Sequence, residues 1–112
     1  MGISSESFSG VYVGRLLEAY RATPGTCGVV RRADRLVAAQ LQRRGVPLSA
    51  VENALALAAT RRMIRPSGAA PLPPIRSLAY FLPVIDEVLA TDVTPAYYEH
   101  VRSKLRRLMA AR

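Results

Sequence analysis

Few side chains here belong to the types that catalysis recruits, and their spacing keeps them apart. His100 is the only histidine, so no two-histidine metal motif can form, and amid Tyr98, Glu99 and Val101 it reads as a surface or half-buried helix residue. Cys27 is the only cysteine. It follows Thr-Pro-Gly-Thr in a turn with no histidine to activate it, so it reads as a small packing residue, and no internal disulfide is possible. Asp86 and Glu87 are neighbours that on a helix project about 100° apart, which suits neither a carboxylate dyad nor a metal clamp. They are expected to form a solvated edge or to pair with a basic neighbour. No glycine-rich loop precedes a Lys-Ser/Thr pair. The chain is therefore expected not to be an enzyme, with no catalytic residue, no metal ligand and no cofactor.

What the sequence does offer is arginine. Sixteen basic residues face eight acidic ones, giving a net charge of +8 and a pI near 10.8. Such an excess draws a domain toward polyanions: DNA, RNA or an anionic surface. Every basic residue but Lys104 is Arg. A GC-rich coding bias would account for Arg over Lys, but not for acids being outnumbered two to one. Arg31, Arg32 and Arg35 open one helical segment, and Arg61, Arg62 and Arg65 close the next. If the two segments pack antiparallel, as a short loop encourages, the triplets meet at one end and suit phosphate oxygens. Arg102, Lys104, Arg106 and Arg107 form a further basic face. A solvated, self-repelling bundle end explains the same residues.

The elements that must carry these residues are helices. Hydrophobic residues make up 50 % of the chain and aromatics only 6 %, so Ala and Leu fill the interior, which favours close-packed helices over a sheet sandwich. A first helix is expected from Ser9 to Ala22, where Val13, Leu16, Leu17 and Tyr20 share a face before Pro24-Gly25. A second runs from Val30 to Arg44, with Ala33, Val37 and Leu41 inward, and is basic throughout despite Asp34. Ser49 and Glu52 fit a capping box for a third, from Ala50 to Ile64. That helix is apolar nearly all round, so it should be the buried centre.

Residues 66–74 hold four prolines and read as a semi-rigid connector, ordered through its Pro and Leu72 contacts. A fourth helix from Ile75 to Ala90 should kink at Pro83. A fifth begins at Thr94-Pro95, a cap followed by proline at the first helical position. The expectation is an all-α, compact bundle of about five helices around a central third helix. Residues 1–8, with Met1-Gly2 as an expression-derived start, would be disordered, and residues 9–112 would form one domain. No apolar run is long enough to span a membrane, the polar start is no signal peptide, and a cytoplasmic location is expected.

Helix, Gly45-Val46-Pro47-Leu48 and helix is also the outline of a helix-turn-helix, though Leu41 stands where such motifs want Ala, and a plain helical hairpin is the better fit to the same residues. The stretch Ile75-Arg76-Ser77-Leu78-Ala79-Tyr80-Phe81-Leu82-Pro83-Val84-Ile85 resembles a motif in replication proteins of plasmids and integrated mobile elements. So do Arg31-Arg32-Ala33-Asp34-Arg35, Gly45-Val46-Pro47-Leu48 and Val51-Glu52-Asn53-Ala54-Leu55. In that family a helical domain of this kind follows a primase-like or winged-helix module. The chain is more distantly similar to the helical domain of DnaD-type primosome proteins: Phe81 and Ile85 match, but Val88 stands where that family has Trp.

Either resemblance implies a non-enzymatic, primase-associated DNA-binding domain in replication initiation or priming. Its partners would be single-stranded or duplex DNA and a primase, helicase or other replication protein. Two alternatives remain: docking of a partner helix on Leu78, Phe81, Leu82 and Ile85, or transcription regulation through a true helix-turn-helix.

Overall fold

The structure, a computed structural model, describes residues 3–91 and 93–111, with side chains from Gly10 onward. Met1-Gly2 lies outside the described residues. Five α-helices form: α1 (Ile3–Ala22), α2 (Arg32–Arg43), α3 (Leu48–Met63), α4 (Leu82–Ala90) and α5 (Pro95–Ala110), with a short 3-10 helix at Leu78–Phe81 ahead of α4. The fold is all-α. Among the described residues the only β feature is an isolated parallel bridge between Thr26 and Ile75. None of the described helices is long and apolar enough to cross a membrane.

α3 is the centre. It packs against α1, α4, α5 and the 3-10 helix. Ala50, Val51, Ala54, Leu55, Leu57, Ala58 and Ala59 are all buried on it, and the small alanines let neighbouring backbones approach closely while Leu55 and Leu57 fill the gaps between them. Thr60, buried beside them, satisfies its hydroxyl on the carbonyl of Ala56 one turn back, at 2.8 Å. Around α3 gather Leu16, Leu17 and Tyr20 from α1, Leu41 from α2, Leu78 and Phe81 from the 3-10 helix, Ile85 from α4, and Tyr98 and Val101 from α5.

The ends of the elements differ from the sequence expectation in instructive ways. α1 takes in residues 3–8, which were expected outside the domain. α2 stops as foreseen: Gly45 adopts φ +75°, and the amides of Gly45 and Val46 donate to the carbonyls of Gln42 and Leu41, a Schellman closure. Pro47, not Ser49, then caps α3, with no side-chain capping bond. The Ser49–Glu52 capping box therefore does not form, because the helix has already begun at Leu48 and Ser49 lies inside its first turn.

Pro83 makes no kink. Residues 75–77 are extended, the 3-10 helix follows, and Pro83 falls in the first turn of α4, where its missing N–H has no helical partner to lose. Of the stripe Leu78, Phe81, Leu82 and Ile85, Leu82 is half-buried and the other three are fully buried in the domain's own core, so it presents little surface for a partner helix.

Leu55 is 3 % exposed at the middle of α3. Leu55→Asp puts an unpaired carboxylate there and should unfold the domain, at a cost of several kcal/mol. The same change at Leu36, which is 54 % exposed on α2, should leave the helical circular-dichroism signal and the melting temperature nearly unchanged.

Candidate nucleic-acid interface

One arginine of each triplet, Arg31 and Arg62, anchors on the same stretch of chain, but not by the expected route. α2 lies against α1 and the 3-10 helix, and an antiparallel α2–α3 hairpin is not among the main packed pairs. What joins these two arginines is the backbone of residues 73–76. A guanidinium nitrogen of Arg62 donates to the carbonyl of Pro73 at 2.8 Å, and one of Arg31 reaches the carbonyl of Arg76 at 3.5 Å. Those carbonyls are three residues apart, so at most about 10 Å of chain separates the two anchor points. Arg65 donates to the carbonyl of Ala70. The connector is thus tied down by arginines at its Pro73 and Ala70 carbonyls and by Ile75 at its end, while Leu72 is 42 % exposed.

Ile75 is the fixed point. Its N–H donates to the Gly25 carbonyl at 2.7 Å and its carbonyl accepts from Cys27 N–H at 2.9 Å. Gly25 sits at φ +94°, and a Cβ there would lie 3.3 Å from Nε of Arg62. Glycine therefore serves the turn twice, through its backbone conformation and by leaving Arg62 room to cross to Pro73.

The other predicted residues divide by partner. Arg32 and Arg35 are exposed, and among the described residues their side chains have no partner. Arg61 makes a two-pronged contact with Glu87, at 2.8 and 2.5 Å. The paired guanidinium holds the Glu87 carboxyl below its ordinary value, and the same bond raises Arg61 further. Arg102, expected on the outer face of α5, is half-buried and bonded to Asn53 of α3, where it ties two helices together. Arg107 donates to Ser103 at 3.1 Å. Lys104 and Arg106 are exposed and, among the described residues, have no side-chain partner. As for the helix-turn-helix reading, the helix that would enter a groove is α3, and its body is enclosed by its neighbours.

Opposing charge is sparse on this surface. Glu18 pairs with Arg21 and Asp86 with Arg44, while Glu87 is taken by Arg61. Among the side chains described, Glu52 and Glu99 are the remaining surface carboxylates. No group of three or more His, Cys, Asp or Glu residues among the described ones is arranged to hold a metal.

Asp34, read from the sequence only as an interruption in a basic helix, is 1 % exposed. One carboxylate oxygen accepts from the amide of Arg31 at 2.9 Å, and the other from the amide of Leu78 at 2.9 Å. Its place three residues after Arg31, at the third position of a helix, is where an acidic side chain reaches back to the cap, and that spacing was the signal available.

Tyr20 lies beneath, fully buried, with a hydroxyl that finds no hydrogen-bond partner. Burial, then the nearby Asp34 carboxylate, push its phenol up to about 12.

Comparison with family models, curated proteins and solved structures finds no match for the chain.

Two consequences follow from these buried groups. Asp34→Ala leaves the amides of Arg31 and Leu78 without acceptors and should lower unfolding free energy by at least about 2 kcal/mol, read by urea denaturation, with Asp34→Asn retaining part of the loss. For Tyr20 the folded pKa lies above the unfolded value of 10.0. Its contribution is therefore complete below pH 10 and is lost as pH rises through about 12. Tyr20→Phe removes an unpartnered buried hydroxyl, so it should melt no lower than the parent at pH 7 and should blunt alkaline unfolding between pH 10 and 12.

Proposed function

We propose that this domain is a non-enzymatic nucleic-acid-binding module serving DNA replication or priming, and that it grips phosphate where α2 begins, α3 ends and the connector crosses. The observation that carries this reading is the kind of partner its arginines have. The guanidinium groups of Arg31, Arg62 and Arg65 each bond a neutral backbone carbonyl and, among the described residues, no carboxylate. A carbonyl does not neutralise a guanidinium, which has five N–H donors, so each keeps its full charge and donors to spare for phosphate oxygens.

Arg32, Arg35 and Arg43 extend the positive surface along the exposed side of α2, whose one acid, Asp34, is buried. Lys104, Arg106 and Arg107 add a second basic strip on α5. Arg61, neutralised by Glu87, and Arg102, committed to Asn53, are assigned to holding helices together. The resemblance of residues 75–85 to mobile-element replication proteins supports DNA as the polymer.

Binding held by such contacts is mostly independent of sequence and weakens steeply with salt, because each neutralised phosphate releases about 0.7 to 0.9 counterions. Arg32→Ala and Arg35→Ala, which break no internal bond, should each lower the log–log salt slope by about one while leaving the melting temperature in place. Absence of binding to any single strand, duplex or RNA at low salt would refute the proposal.

A further inference from the structure

Tyr80 does not behave like the rest of its segment. On either side of it Leu78 and Phe81 are fully buried, whereas Tyr80 is 46 % exposed. Its ring is braced edge-on by Phe81, with centroids 5.2 Å apart, and the guanidinium of Arg62 lies 5.7 Å from its centroid and 3.4 Å from its hydroxyl. The ring also lines a cavity of about 370 Å³ together with Arg61, Arg62, Arg65, Leu72 and Val84. An exposed aromatic ring held by a buried one, over an apolar floor and under free positive charge, combines two demands: a flat π-face and a partner for phosphate.

Resting on the nucleic-acid reading above, we infer that this cavity receives an unpaired base of a single-stranded nucleic acid. The base stacks against Tyr80 and Leu72, and Arg62 and Arg65 take the flanking phosphates. A base within a duplex keeps its faces covered by its neighbours, so only an unpaired base offers a face to the ring. An acidic protein segment would satisfy the arginines but leave the ring without a planar partner. Three arginines line the cavity and they differ in charge: Arg61 is neutralised by Glu87, while Arg62 and Arg65, bonded to carbonyls, keep theirs.

The test uses the full chain with three probes of equal length: a thymidine homopolymer, the corresponding abasic chain and a hairpin duplex. The thymidine strand should bind most tightly. Tyr80→Ala should weaken it about tenfold, leave the abasic chain unaffected and leave the salt slope unchanged. Tyr80→Phe should retain parental affinity, and the melting temperatures of both variants report any damage to the Phe81 contact. Equal binding of the thymidine and abasic chains, or preference for the duplex, would overturn the base pocket while leaving the phosphate grip standing. If none of the three probes binds, the functional reading fails and the pocket with it.

Discussion

A single buried carboxylate holds the functional end of this molecule in register. Asp34 accepts from the first amides of two elements that are distant in sequence, the start of α2 and the start of the 3-10 helix. Both helix N-termini present their positive ends to it, so a charge that would otherwise be expensive out of water is compensated from two sides. The direction in which α2 leaves the loop that follows α1, the height at which Leu78 and Phe81 enter the core and the outward aim of Tyr80 all follow from that one anchor. Remove it and the arginines remain, but the geometry that gathers them does not.

The arginines themselves serve two distinct ends. Some are structural: Arg61 clips α3 to α4 through Glu87, and Arg102 clips α5 to α3 through Asn53. Others are structural only in passing, since bonding to a carbonyl fixes a guanidinium in place and leaves its charge intact. Fixing a long side chain in advance reduces the rotamer entropy that a ligand must otherwise immobilise on binding. Lysine, with a compact ammonium and no planar fork, could not hold a carbonyl in one direction while presenting a flat cationic face to a ring or a phosphate in another.

Much of the architecture was legible in the residues. The apolar wrap of α3 foretold its central place, Gly45 marked the close of α2, and Thr94-Pro95 the opening of α5. Where reading failed, a neighbouring turn or a nonlocal partner had decided the outcome. The Ser49–Glu52 spacing was right for a capping box, yet the turn made by Gly45 and Pro47 starts the helix two residues earlier. Ile75 looked like the first residue of a helix, but it pairs with Gly25 and Cys27, some fifty residues upstream. Asp34 read only as an interruption in a basic helix, and its second partner, the Leu78 amide, lies 44 positions away. Tyr80 shared a hydrophobic run with Phe81, and nothing local said that one would face the core and the other the water. The candidate site was legible as charge and illegible as shape, because its shape is made by the connector.

The same anchor has a bearing on the order in which the chain becomes structured. The bond from Leu78 to Asp34 closes a loop across 44 positions, and the Thr26–Ile75 bridge closes a slightly longer one. Closing loops of this size costs entropy that grows only slowly with length, but it has to be met before the bonds that reward it exist. α3, α4 and α5, joined by shorter connections, can nucleate a core among themselves, and α1 and α2 can pair early. The cap of α2 and the outward turn of Tyr80 belong to the last step, when the two halves are strapped together. On a growing polypeptide, that step must wait until residue 78 has cleared the ribosome.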